Sequence, residues 1–482
     1  MQSAFIQQRD ASTCTSGFLF WKIVDAFCKD CYYLHGMQEQ NRSKRFLALL
    51  QKELRWLKPG LGVKRWLLLM LAGTTLIGIG FAILVLDVYR TAPDTWWLPL
   101  LSALSLRFLD RTLRAVIFGG LGIVLILAGT WGLNRALLRP FLRPGKHILE
   151  TVSAYRKRER GPKVVAIGGG TGLSTLLRGL KHHTANLTAV VTVADDGGSS
   201  GELRKNIGIL PPGDIRNCLT ALSNDEALLA QIFQYRFLSS AGLNGHTLGN
   251  LFITALTDIT GSFEEAVAES GRVLAVQGRV LPSTLHDVQL VAEIRTPDEK
   301  TEKRVRGESQ ITKAGGRIQR VWLDPHAPLA FPPAVQAILS ADLIVIGPGS
   351  LFTSILPNLL VPDLANALRA SRALKFYVCN VATQPGETDG FTCDDHVQTI
   401  ENHLGERLFD VIVCNNNYEL PLPENLSWVK AQPELEENYP VYFADLVDNE
   451  NPWRHDSTKL AQVVMDLYYE RTGPLSGKDE FS

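Results

Sequence analysis

The chain has 482 residues, 45% of them hydrophobic and 20% charged, and Lys+Arg and Asp+Glu both number 49. This is the composition of an ordinary globular protein of two or three domains. The balanced charge argues against a general nucleic-acid binder, so any anion site has to be local, built from loops and helix ends.

The seven cysteines (Cys14, Cys28, Cys31, Cys218, Cys379, Cys393, Cys414) are odd in number and scattered. They do not form a disulfide framework, and the main body reads as a reduced, cytoplasmic domain. Cys28 and Cys31 make one C-x-x-C, but a zinc site needs a second ligand pair, and Cys14 with His35 is a poor one.

Residues 1–63 read as an N-terminal cytoplasmic segment without a signal peptide. Met37 begins a basic, amphipathic stretch, "MQEQNRSKRFLALLQKELRWLKPG", so residues 1–36 read as an extension ahead of a second candidate start. Residues 64–134 follow as a predicted transmembrane helical hairpin. Its spans, about 66–86 and 115–133, carry no charge and have the length needed to cross a hydrocarbon core. Buried core helices would be the alternative, but those usually keep a polar face. Lys52, Arg55, Lys58, Lys64 and Arg65 precede the first span; Arg135, Arg139, Arg143 and Lys146 follow the second. This bias places both ends in the cytoplasm. Residues 135–162 form a basic linker, suited to anionic lipid or to simple tethering.

From Lys163 the pattern changes. Continuous β-branched runs end in polar, small-residue loops: "KVVAIGGGTG", "NLTAVVTVADDGG", "ADLIVIGPGS", "LKFYVCNVATQ" and "FDVIVCNNN". Such runs suit strands buried on both faces of a parallel sheet. Helical stretches between them, such as 332–341 and 367–373, give a doubly wound, mostly parallel α/β plan. Residues 288–325 alternate and contain turn residues, which predicts a small antiparallel β insertion. Residues 471–482 read as a tail to a nucleotide-binding domain of residues 163–470.

Ligands of open α/β sheets sit beyond the carboxyl ends of the strands, and the polar strand-end loops here point to one shared cleft. "GGGTG" (168–172) brings Gly169, Gly170, Thr171 and Gly172 to a helix start, where backbone N–H groups favour a phosphate. It lacks the G-x-G-x-x-G and Walker patterns, and close packing is the other reading. "ADDGGSSG" (194–201) offers Asp195 for ribose hydroxyls, Asp196 for ribose or Mg²⁺, and Gly198, Ser199 and Ser200 as an anion nest; an Asx-turn is the alternative. "PPGDIRNCL" supplies Gly213, Asp214, Arg216 and Asn217. Arg216 either forks onto a phosphate or pairs with Asp214. "NGHTLGNLF" brings His246 and Asn250 to a helix start, with His246 a general acid or a hydrogen-bonding anchor. "GPGSLFTS" contributes Gly347, Gly349, Ser350 and Thr353 as a second phosphate-type loop. Asn380, Thr383, Gln384, Glu387 and Thr388 suit base or sugar recognition. Neither a nucleophile elbow nor a zinc signature is visible. Asp196 and His246 are the catalytic candidates, should there be turnover.

The segments "VVAIGGGTGLSTLLRGLK", "VTVADDGGSSGELRK", "PPGDIRNCLTALS", "GHTLGNLF", "VIGPGSLFTSILPNLLVP" and "CNVATQPGETDGFT", in this order, resemble the gluconeogenesis factor (YvcK) family. That family lies in a wider group with the 2-phospho-L-lactate transferases, the CofD-like superfamily. The resemblance spans about 164–395. It implies a Rossmann-like domain that binds a UDP-sugar, UDP-N-acetylglucosamine in particular, and regulates cell shape and envelope precursor supply. In the transferase branch it implies Mg²⁺-dependent transfer from a diphosphate-activated nucleotide, with Asp195 and Asp196 facing the diphosphate. The expected partners are the nucleotide-sugar, the inner (plasma) membrane, further copies of the chain and a regulatory protein, with no nucleic acid and no tightly bound cofactor. Phe391 stands where the family often has tyrosine, the stretch after Asn415 departs from the pattern, and the membrane hairpin is an addition to the usual plan.

Overall fold

The computed structural model describes residues 158–223, 226–238, 242–295 and 302–473, with scattered positions between 71 and 130. The chain divides into two units, residues 1–153 and 154–482. The C-x-x-C, the Met37 segment, most of the first predicted span, part of the second and nearly all of the basic linker lie outside the described residues. Among those described, no single helix is long and apolar enough to cross a membrane.

The second unit is built on a seven-stranded sheet in which every neighbouring pair is parallel. Its strands are β1 (Val164–Gly168), β2 (Leu187–Val191), β3 (Arg279–Pro282), β7 (Leu343–Ile346), β8 (Leu374–Val378), β9 (Val411–Asn415) and β10 (Val441–Ala444), in the order β10-β9-β8-β7-β1-β2-β3. The four apolar runs at β1, β2, β7 and β9 are buried throughout, as continuous β-branched strands covered on both faces must be. The edge strands are polar or half-exposed: β10 reads Val-Tyr-Phe-Ala with no fully buried position. Strand order reverses between β1 and β7, so the switch point of this doubly wound fold lies where the loops after those two strands meet.

Residues 289–324 form the expected insertion, an antiparallel sheet in the order β5-β4-β6, from β4 (Gln289–Arg295), β5 (Glu302–Arg306) and β6 (Arg317–Asp324). The helices that matter for the site are α1 (Gly170–Leu180), α2 (Gly198–Ile207), α3 (Gly213–Leu222), α4 (Glu226–Gln234) and α5 (Leu248–Thr260). Of the helices read from sequence, the first spans Pro332–Leu339, whereas the second is displaced toward the N-terminus, to Pro362–Ala370. Pro362 presets the first helical φ, and Ser371 is already extended.

The four described cysteines are free and buried. Cys218 lies in α3, while Cys393 Sγ lies 2.7 Å from Cys414 Sγ. Phe391 belongs to this apolar region: it is 7% exposed and meets the Phe352 and His396 rings edge-on. Its ring is packing material, so the tyrosine-to-phenylalanine difference removes no hydroxyl from an open surface.

Candidate functional site

Three helices begin at one place. α2 starts at Gly198 and α3 at Gly213, neither with a side-chain cap. α5 starts behind Thr247, whose hydroxyl accepts from the Asn250 N–H. Their first turns line a cavity of about 250 Å³ together with Asp195 and Arg236. Each helix start leaves unpaired N–H groups and the positive end of a dipole. Of the residues expected from sequence, the cavity brings together Asp195, Gly198, Ser199, Ser200, Gly213, Asp214, Arg216, Asn217 and Asn250.

Charges of both signs line the cavity. The Arg216 guanidinium donates to Thr247 Oγ1 and to Asn217 Oδ1, the latter at 2.9 Å, and Arg236 donates to the Gly245 carbonyl. Burial, and then the charge of Arg236, lower the Arg216 pKa. Asp195 and Asp214 line the same cavity. Asp195 Oδ1 accepts from the Gly197 N–H at 2.8 Å, an Asx-turn. Burial raises its pKa, the Gly197 and Ser200 hydrogen bonds pull it down, and the Asp196 charge pushes it up further. Asp214 is raised to about 6 by burial and by the Asp195 carboxylate, with the Gly170 N–H and Arg216 opposing.

His246 stands one layer back. Its Nδ1 lies 3.0 Å from Ser199 Oγ and its Nε2 lies 3.2 Å from the Glu202 carboxylate. Asn250 Nδ2 donates to the same Ser199 hydroxyl at 3.0 Å, while Asn250 Oδ1 is buried without a partner. This is the anchoring geometry for His246, holding α2 against α5.

Asp196, the candidate metal ligand, turns away from the cavity. Its Oδ1 accepts from the Ser309 N–H at 2.8 Å, at the start of the short helix Glu308–Ile311 in the insertion. That helix brings in Glu308, whose pKa is raised well above the usual range by burial, then by Asp195, Asp214, Glu387 and Asp196 in turn. Carboxylates suit a hard cation, yet among the described residues no three His, Cys, Asp or Glu side chains form one coordination sphere. Mg²⁺ commonly takes one or two carboxylates and completes its shell with water and phosphate oxygens. Asp195 and Asp214 are the two carboxylates that line the cavity.

The remaining expected residues gather at the switch point. Gly172 is required there: a Cβ on it would stand 2.5 Å from the Pro348 carbonyl. A Cβ on Gly169 would meet Asp214 Oδ2 at 2.5 Å, so the Gly169–Gly172 turn is pressed against a protein carboxylate. With the Asp214 carboxylate packed against Gly169, that helix start already has an anion, and the phosphate expected at Gly169, Gly170, Thr171 and Gly172 has a competitor in the fold. The Gly347–Ser354 loop is likewise braced. Gly349 N–H donates to Asn380 Oδ1 at 3.1 Å, Gln384 Nε2 donates to Ser350 Oγ at 2.8 Å, and Thr353 Oγ1 donates to Glu387 Oε1 at 3.1 Å. Thr388 Oγ1 accepts from the Gln384 N–H and Thr383 Oγ1 from the Ser427 N–H. Glu387 is 8% exposed, and its Oε2 is buried without a partner. Burial raises its pKa to about 7, with hydrogen bonds from Thr353 and the Phe352 backbone opposing.

Two residues of this region escape sequence reasoning. Arg236 sits in "FQYRFL", which has no motif, and reaches the cavity only because its strand-like bridge to Thr247 folds the segment back. Glu308 follows a β-strand and a glycine, which signals a turn but not a direction.

These features define a doubly wound α/β protein with an anion-suited subsite at converging helix starts. The CofD family, described as 2-phospho-L-lactate transferase CofD, matches residues 164–469, well past Asn415. The chain belongs to the gluconeogenesis factor (YvcK) family within this CofD-like group. It is 46% identical to the gluconeogenesis factor of Bacillus subtilis over 64% of this chain and 99% of that protein. It is 45% identical to a Nostoc sp. protein provisionally named gluconeogenesis factor, over 90% of this chain and 96% of the relative. Residues 164–482 alone cannot supply that share, so the Nostoc similarity runs into the N-terminal region. A crystal structure of a upf0052 family member from Bacillus halodurans is similar over 64% of this chain and 99% of its own, at 43% identity and a TM-score of 0.59.

Proposed function

We propose that this chain is a sugar-nucleotide-binding regulator, with a UDP-N-acetylglucosamine-like ligand, tethered to the inner membrane with its α/β unit in the cytoplasm. The observation that carries the reading is the cavity itself. It joins converging helix N-termini and two guanidiniums to carboxylate and amide acceptors. That combination suits a ligand with phosphates at one end and hydroxyls at the other. The described lining of the cavity is serine, glycine, arginine, aspartate and asparagine, groups suited to holding phosphates and hydroxyls. The relatives named gluconeogenesis factor support a role in carbon use, and control of envelope precursors is the further role proposed with it.

The tether rests on the charge-free runs at 66–86 and 115–133. Described helical side chains in the second run include Val116, Ile123, Val124 and Leu127, each more than half exposed. Apolar surface of that kind asks for lipid or a partner.

The rival reading is a Mg²⁺-dependent transferase acting on a nucleotide-diphosphate-activated substrate. It is favoured by the Asp195–Asp214 pair at the cavity, because phosphoryl-type transfer needs mainly positioning and a metal. Titration calorimetry of the full chain with UDP-N-acetylglucosamine, with and without Mg²⁺, separates the two when followed by analysis of the recovered ligand. Binding with intact ligand supports the regulator, and consumption supports the transferase. Absence of binding in both conditions overturns the sugar-nucleotide reading.

A further inference from the structure

We infer that Arg236 and Arg216 form a two-guanidinium clamp that holds a diphosphate against the start of α2, while Asn250 Oδ1 accepts a hydrogen bond from a hydroxyl of the attached sugar. This deepens the proposed function and rests on it for the sugar, though not for the diphosphate.

The placement differs from the one the glycine loops suggest. The starts of α1 and of the Gly347–Ser354 loop are occupied by protein groups, Asp214 in the first case and Asn380 with Gln384 in the second. At α2 the N-cap is Gly197, whose own N–H is taken by Asp195 Oδ1 at 2.8 Å, while the Gly198, Ser199 and Ser200 N–H groups precede the first intrahelical bond, from Gly201 N–H to the Gly197 carbonyl. The hydrogen bonds of Arg216 and Arg236 go to neutral acceptors, Thr247, Asn217 and Gly245, so neither guanidinium is hydrogen-bonded to a carboxylate, and Asp214 and Asp195 favour the Arg216 charge only from a distance. Two adjacent guanidiniums disfavour each other unless an anion lies between them, and a fork on each suits phosphate oxygens.

Asn250 gives the independent sign of a ligand. It is 2% exposed, it lines the cavity, and its Oδ1 has no partner. Buried acceptors in native proteins are nearly always satisfied, and its amide nitrogen is fixed on Ser199 Oγ, which keeps the oxygen aimed away from that bond. Asp195 and Asp214 add further acceptors to the same lining. The cavity therefore offers cationic donors and acceptors together. At about 250 Å³ it falls below the roughly 300–1,000 Å³ of complete small-molecule sites. It takes the diphosphate and one hydroxylated ring, and leaves the base to the surface outside.

Calorimetry of the full chain with inorganic pyrophosphate and with UDP-N-acetylglucosamine tests this. Arg236→Gln is expected to weaken both by about 10- to 100-fold, as loss of a charged hydrogen-bond partner does, and Arg236→Lys to restore part of the loss. Asn250→Ala is expected to weaken the sugar nucleotide about tenfold and pyrophosphate less than threefold. Wild-type affinity for both ligands in Arg236→Gln overturns the clamp, and if the sugar nucleotide still binds, the regulator reading survives without it. Pyrophosphate binding that depends on Arg236, with no binding of the sugar nucleotide, keeps the clamp and overturns the sugar assignment. Should Arg236→Gln melt early, hydrogen exchange of wild type decides. Slower exchange across residues 197–204 with pyrophosphate supports the clamp, and unchanged exchange there at saturating pyrophosphate overturns it.

Discussion

Asp196 and Ser309 lie 113 residues apart in sequence, yet the Asp196 carboxylate accepts the Ser309 backbone N–H at 2.8 Å. The residue that most resembles a metal ligand on paper is the cap that pins the antiparallel insertion to the strand-end loop after β2. A capping contact of this kind contributes about 1 kcal/mol. Asp196→Ala is expected to lower stability by about that amount, and Asp196→Asn, which keeps an acceptor oxygen, by a few tenths. Urea unfolding monitored by tryptophan fluorescence measures both. If Asp196 instead carries chemistry, Asp196→Asn removes turnover while leaving the unfolding midpoint in place.

Gly172 carries a steric demand. An added methyl would stand 2.5 Å from the Pro348 carbonyl and 2.9 Å from Gly349 Cα, both backbone atoms that cannot rotate away. Gly172→Ala is expected to cost about 1–3 kcal/mol, the usual penalty of overpacking, against a far smaller cost for Gly208→Ala in space but not in φ, since Gly208 has open surroundings and φ +79°. Thermal melts of the two variants separate steric from conformational effects.

Glu387 makes stability depend on pH. Its folded pKa is about 7 against an ordinary 4.5, so the folded state holds the proton more tightly than the unfolded chain. The stability this provides is complete below the unfolded value and is lost as pH rises through about 7. Glu387→Gln removes the titration. Its unfolding free energy, relative to wild type, is expected to rise by about 3 kcal/mol between pH 4 and pH 8. Glu308 lies electrostatically close to Glu387, and Glu308→Gln measured in parallel separates the two. Denaturant titrations across that range read the slope directly.

Arg204 fixes α2 to the start of the insertion. It is 8% exposed, donates to the Val288 carbonyl at 2.6 Å and pairs with Asp287, whose side chain is 73% exposed. Removal of the exposed partner, Asp287→Asn, is expected to cost under about 1 kcal/mol. Arg204→Ala loses the packed stem and leaves a buried carbonyl unpaired, for roughly 2–4 kcal/mol. Chemical denaturation of both variants tests the asymmetry.

Much of this architecture is legible in the sequence, for reasons the structure makes plain. Central strands such as Val164–Gly168 must be apolar on both faces, so their runs stand out, and each ends where its polar loop begins. The insertion shows by its alternation, because Leu290, Ala292 and Ile294 bury one face of β4 while Gln289, Glu293 and Arg295 leave the other partly open, with Val291 buried between them. Edge strand β10 and the exact limits of Pro362–Ala370 are not legible, since neither carries a strong period. At the site, sequence order names the loops but cannot say which helix starts are already satisfied. That Asp214 lies at the Gly169–Gly172 turn is a long-range fact. Arg236 has no motif because its position depends on a bridge to Thr247, eleven residues later.

The four buried thiols turn the fold into its own clock. Cys218 sits in α3, whose first turn lines the cavity, and Cys379, Cys393 and Cys414 sit together in the other half of the sheet. An alkylating reagent reaches none of them until its surroundings open. Peptide-resolved labelling over time would then time the opening of the helix-start region and of the β8–β9 region separately, in one sample and without an introduced cysteine. A ligand that grips the start of α3 would slow the first hand of that clock while leaving the second to run.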